Sequence, residues 1–173
     1  MASKKQKHSG TIIMIEGALC IALSIVLSRF DLFRMPQGGT IDFELVPIII
    51  FAYRRGLKWG LIGGILVGLM KMLIGGYILN PVQAFLDYPL AFMFVGLAAV
   101  HPKIIGIILS AVGQISCSII SGAYFFGQYA PEGQNPWVYS FFYNAPVLGT
   151  KYIISFIVAL ILWKALERDL PVR

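Results

Sequence analysis

Apolar residues in this chain come in long runs, and its polar and charged residues gather in short breaks between them. The first run goes from Thr11 to Leu27, behind a basic polar lead over Met1 to Gly10 and ahead of a charged stretch from Arg29 to Arg34. A shorter second run covers about Phe43 to Tyr53, contains Pro47 and stops at Arg54 and Arg55. A third extends from Leu57 to Leu79, and a fourth from Val82 to Val100, just after Asn80-Pro81. The fifth follows His101-Pro102-Lys103 and runs from Ile104 to about Phe126. A polar loop from Gly127 to Pro136 then leads into Trp137 to Asn144 and a sixth run ending near Leu166. A helix of roughly 20 apolar residues crosses a bilayer core of about 30 Å. The pattern therefore predicts an all-α membrane protein with six crossings, as one domain over residues 11–173 behind a basic tail, residues 1–10. The Phe43–Tyr53 run is short for a crossing, and Pro47 marks it as kinked or tilted.

Composition agrees: 58% of the 173 residues are hydrophobic and only 13% are charged, against about 25% charged in a typical soluble domain. The mean hydropathy is +0.79. With six crossings, Lys4, Lys5, Lys7, Arg54, Arg55, Lys58, Lys103, Lys164, Arg168 and Arg173 fall on one side, and the opposite loops hold only Arg29 and Arg34. The positive-inside rule then places both termini in the cytoplasm. The same distribution explains the net charge of +6, so a nucleic-acid partner is not expected. The first run has no small-residue cleavage site behind it, which argues against a removable signal peptide.

Catalytic and cofactor motifs are missing. There is no G-x-x-x-x-G-K-[ST], H-E-x-x-H or G-x-S-x-G, so neither nucleotide hydrolysis, metalloprotease nor serine-hydrolase chemistry has residues to build on, and no cofactor or metal is expected. Cys20 and Cys117 lie inside apolar runs without a CxxC partner and read as packing residues. Gly60, Gly64 and Gly68 recur every four residues and form a face for close helix contact.

What stands out is a set of isolated polar groups in or beside the runs: Glu16, Glu44, Lys71, Asp87, Gln114, Ser118, Tyr139, Asn144 and Lys151. Long side chains can snorkel or pair, and Ser118 can bond back to its own helix. Asp87 cannot snorkel far on its short stem, and an ionisable group at membrane depth is costly unless it is paired or faces a wet cavity. Tyr124, Tyr139, Tyr143 and Asn144 cluster beside the polar Gly127–Pro136 loop, as an interfacial aromatic belt or as an outward-facing pocket for a flat ring.

Four ordered stretches carry a family resemblance: MPQGGTI, LDYPLAF from Leu86 to Phe92, SGAYFFGQYAPEG from Ser121 to Gly133, and WVYSFFYN from Trp137 to Asn144. As a set they resemble the thiamine-specific S components of energy-coupling factor transporters, over most of the chain. The resemblance implies a six-helix protein that binds a vitamin from outside and delivers it inward with a transmembrane coupling subunit and two ATPase subunits. It places the family's acidic-Tyr pair on Asp87 and Tyr88, its later Tyr and Asn on Tyr139 and Asn144, and its pocket glycine on Gly122, with Phe126 stacking on the ligand. Trp137 is expected near the pocket, and the loop after the first helix is expected to lid it. Ala18 and Ala22 match the AxxxA face by which S components dock on the coupling subunit; residues four apart share a helix face.

Two departures bear on the ligand. Gln114 and Ser118 stand where family members carry a basic residue and a His, and Phe126 stands where some carry Trp. Glu44 and Lys151 are charges beyond the family pattern, and their projection into the pocket would favour another small ring compound such as hydroxymethylpyrimidine, pyridoxine or riboflavin. A subunit with no ligand would instead pair Asp87 with Lys71 or Lys151.

Overall fold

The computed structural model describes residues 2–36 and 39–169, with side chains from Gly10 to Glu167. Gln37, Gly38 and Arg173 lie outside the described residues, as do the side chains of Lys4, Lys5, Lys7 and Arg168. Helix α1 covers Ala2–Leu27 and so takes in the basic lead. After it, β1 (Phe33–Arg34) pairs antiparallel with β2 (Thr40–Ile41), and part of MPQGGT forms the connection between them. The chain is thus mostly helical with one two-residue ribbon. Helices α2 (Leu45–Gly75), α3 (Pro81–Ala99), α4 (Lys103–Phe125) and α5 (Pro136–Asp169) complete it.

Helix α2 is two helices joined at Gly56, whose φ of 80° and ψ of 179° break the helical path. The two arms fold back on each other. A Cβ added at Gly60 would lie 2.8 Å from the Ala52 Cβ, and one at Gly63 would lie 3.1 Å from the Phe51 ring. In a straight helix, at 1.5 Å per residue, these partners would be separated by more than about 10 Å. The run expected at Phe43–Tyr53 is therefore the first arm, residues 45–55, and it is the most buried element of the molecule. Leu45, Ile49 and Ala52 are fully enclosed and pack with Val67, Ala91, Phe92, Val95 and Ala98. An arm apolar on every face needs such a central position.

The glycine stripe explains how α3 approaches. A Cβ at Gly64 would run into the Phe92 carbonyl, and one at Gly68 into the Tyr88 carbonyl, so α3 rests directly on the second arm's backbone. Asn80 caps α3 by accepting from the Val82 and Gln83 amides at 2.9 Å each, with Pro81 in the first turn. On the outside, α1 exposes Ile12, Ile15, Leu19 and Leu23, α4 exposes Ile104, Ile108 and Val112, and α5 exposes Ile153, Ile157 and Ile161. Apolar residues on the outside of a bundle face lipid, and five helices are long and apolar enough to cross a membrane, counting α2 once. This is a multi-pass membrane protein.

Charge marks one end of the bundle. Glu16, a long side chain able to snorkel or pair, pairs with Arg55 at 2.6 Å and Arg54 at 3.3 Å, and Lys103 lies over the rings of Tyr53 and Trp163. The ribbon, the 76–80 connection and the loop before α5 gather around a cavity elsewhere.

Candidate functional site

Helix α3 widens at Leu86–Leu90 into a single π-turn, where Pro89 lacks the amide that would continue the α-helical ladder. The Ala91 amide reaches back to the Leu86 carbonyl, five residues away. Turns of this kind re-aim side chains and recur at functional sites. Here the turn carries Asp87 and Tyr88 to the wall of a cavity of about 510 Å³.

All eight pocket residues suggested by the sequence line this one cavity: Asp87 and Tyr88 from α3, Gln114, Ser118 and Gly122 from α4, Phe126 just beyond it, and Tyr139 and Asn144 from α5. Spacing explains the convergence, since Gln114, Ser118 and Gly122 are four apart and share a helix face. Gly122 lets α5 come close: a Cβ there would meet Ser140 Oγ and approach Asn144 Nδ2 to 3.2 Å.

Asp87 is held by neutral donors. Gln83 Nε2 donates to its Oδ2 at 2.6 Å, and Ser121 Oγ donates to the same oxygen at 2.9 Å. Gln83 is itself fixed, accepting from the Leu79 amide at 2.9 Å and donating to the Tyr77 carbonyl at 3.1 Å. No cation pairs with Asp87 among the described residues, and Oδ1 accepts no bond there. Gln83 and Ser121 were not singled out from the sequence, although Gln83 stands one helical turn before Asp87, the spacing that signals a shared face.

The hydroxyl of Tyr88 accepts from the Tyr77 amide at 2.7 Å, which ties the 76–80 connection to α3. Asn144 Nδ2 donates to the Ser140 carbonyl at 3.0 Å and reaches the Ser118 carbonyl at 3.5 Å. Gln114 is only 4% exposed, and its Oε1 has no hydrogen-bond partner among the described residues. A buried acceptor of this kind is rare in folded proteins.

Aromatic rings close the cavity. Phe126 stacks on Tyr129 with centroids 6.4 Å apart and meets Tyr77 at 6.0 Å, while Tyr139 and Tyr143 sit 5.6 Å apart. Trp137 and Tyr124 do not join them. They pack edge to face on each other, both exposed and outside the cavity lining. The segment after α1 contributes Arg34, Met35, Pro36, Gly39 and Thr40 to the lining.

A second polar group stands on the same lining. Glu44 Oε1 pairs with Lys151 and Oε2 with Lys71, and Asp42 Oδ2 accepts from Lys151 at 3.0 Å. Asp42 also accepts from Thr40 Oγ1 at 2.6 Å and from the Glu44 amide at 2.9 Å, which fixes the start of α2. Lys71 and Lys151 are thus engaged away from Asp87, and Glu44 and Lys151 do reach the cavity lining.

The chain matches the family described as thiamine transporter protein over residues 14–170. It is 37% identical to the thiamine transporter ThiT of Bacillus subtilis, with 90% of each chain covered. It is 32% identical to the thiamine transporter ThiT of Lacticaseibacillus paracasei, with 80% of each covered. Among solved structures it resembles ThiT from Listeria monocytogenes, with a TM-score of 0.82 and 28% identity over 91% of this chain and 96% of that one.

Proposed function

This chain belongs to the thiamine transporter protein family, and we propose that it is the thiamine-capturing S component of an energy-coupling factor importer in a prokaryotic plasma membrane. In this reading it has six crossings, the two arms of α2 counting separately, and both termini are cytoplasmic. The cavity opens outward, and a coupling subunit with two ATPase subunits drives delivery inward. The protein itself binds and hands over its ligand and performs no chemistry on it.

The observation that carries the reading is Asp87, a carboxylate on the cavity wall that, among the described residues, only Gln83 and Ser121 hold. Thiamine is a permanent cation with an amino-bearing ring, and it supplies both the charge and the N–H donors that such a group lacks. Burial strengthens the attraction, because few waters screen it. Phe126, Tyr129, Tyr139 and Tyr143 offer faces to its two flat rings, with cation–π attraction of about 0.5–2 kcal/mol. Gln114 Oε1 accepts an N–H from the ligand, which gives this buried atom a partner.

Glu44 and Lys151 at the lining are the feature expected to favour a different ring compound. Their mutual pairing removes that argument, since together with Asp42 and Lys71 they add no net charge to the cavity. A ligand-free structural subunit is disfavoured in the same way, because both lysines are engaged away from Asp87.

The test is isothermal titration of the detergent-purified chain with thiamine, hydroxymethylpyrimidine, pyridoxine and riboflavin. Saturable heat with thiamine at nanomolar to micromolar concentration supports the reading. A flat thiamine titration beside a response to another compound assigns that compound instead. Intrinsic fluorescence is the poorer probe, since Trp137 does not line the cavity.

A further inference from the structure

One stretch of the cavity lining carries more charge than the capture of a small cation requires. Glu44, Lys71 and Lys151 all line the cavity, and Glu44 gives one carboxylate oxygen to each lysine. Asp42 supplies Lys151 with its second partner. Asp42, Glu44 and Lys151 are nearly or fully buried, whereas Lys71 keeps 22% of its side chain exposed. Burying ions is costly, and packed apolar side chains often stabilise such a position as well or better. Four buried or half-buried charges beside a ligand cavity therefore point to a role in choosing the ligand.

Two ammonium groups converging on the two oxygens of one carboxylate form the kind of cradle that holds a phosphate. In this chain the anion comes from within. We infer that Glu44 is the built-in occupant of an anion site formed by Lys71 and Lys151, and that it biases the cavity toward the unphosphorylated, cationic ligand. The inference rests on the thiamine reading above and adds to it a discrimination between the free vitamin and its phosphate ester.

The remaining charges at the cavity agree with this assignment. Asp87 is an uncompensated anion that repels phosphate. Arg34 is paired with Asp31, and Arg29 is exposed, where solvent and salt screen its pull. A phosphate entering the cavity thus meets two carboxylates, and both lysines on its wall are already paired with Glu44.

The experiment titrates thiamine and thiamine monophosphate into the wild-type chain, Glu44→Gln and Lys71→Met, and reads the ratio of the two affinities. Glu44→Gln leaves two lysines against Asp42 alone and shifts the ratio toward the phosphate ester by about tenfold or more, the scale of one added charge at close range. Lys71→Met removes a cation and shifts the ratio the opposite way. Lys71 is partly exposed, so this second variant reports even if Glu44→Gln does not fold. A cluster that only braces the helices would weaken both ligands alike, and a ratio unmoved in the folded variants overturns the inference while leaving thiamine capture intact. A wild-type chain that binds neither compound removes the capture function and this inference with it.

Discussion

At Gln114 the chain buries an amide whose Oε1 has no partner among the described residues. Replacing it by Leu removes an unsatisfied group and fills the same space, so thermal stability should hold or rise. Thiamine affinity should fall about tenfold if the ligand supplies the missing donor. Melting and calorimetry on Gln114→Leu check both, and an unchanged affinity would take Gln114 out of the recognition set. Gln114 and Asp87 were legible because each is a polar residue within an apolar run. Asp42 was not, since a carboxylate in a polar loop signals nothing by itself. The ion cluster was equally hidden: Glu44 finds partners 27 positions away in Lys71 and 107 away in Lys151, and no local spacing encodes such pairs.

Among the elements, α2 depends on Gly56. Its positive φ with extended ψ belongs to a region that is essentially restricted to glycine. Nothing lies within 4 Å of a Cβ built there, so Gly56→Ala should cost about 1–3 kcal/mol through backbone strain alone. Gly64→Ala should be at least as costly for a different reason, because its Cβ meets the Phe92 carbonyl and forces α3 off the second arm. Gly149 sits in α5 with open space beside it, so Gly149→Ala should leave stability unchanged or slightly raised. Thermal melts of the three variants in detergent test this order, and a Gly149→Ala loss equal to the others would contradict it. The two arms could be read from the sequence because Arg54 and Arg55 interrupt the apolar pattern. The central place of the short first arm could not, since an apolar run looks the same facing lipid or a core. The π-turn was hidden too: Pro89 announces a disturbed helix but not the direction in which Asp87 is turned.

For the molecule as a whole, function needs an apolar exterior, a polar cavity and a face for the coupling subunit. Ala18 and Ala22 are both exposed on α1, while the neighbouring Gly17 packs against Phe51. A bulky residue there should block close helix approach without touching the cavity. Ala18→Trp and Ala22→Trp are therefore expected to keep full thiamine binding in the purified chain and to lose uptake in cells that hold the complete importer. Binding lost together with uptake would place the alanines in the fold and not in docking. The sharpest test of thiamine capture remains Asp87, whose carboxylate is the one anion on the cavity wall without a cationic partner among the described residues. Asp87→Asn preserves its shape and its acceptor toward Gln83 and Ser121 but removes the charge. Calorimetry should show thiamine affinity reduced by about 10- to 150-fold, the range for losing a charge-assisted hydrogen bond, with the melting temperature held or raised. A folded Asp87→Asn chain that binds thiamine as tightly as the wild type would contradict the role assigned to this carboxylate.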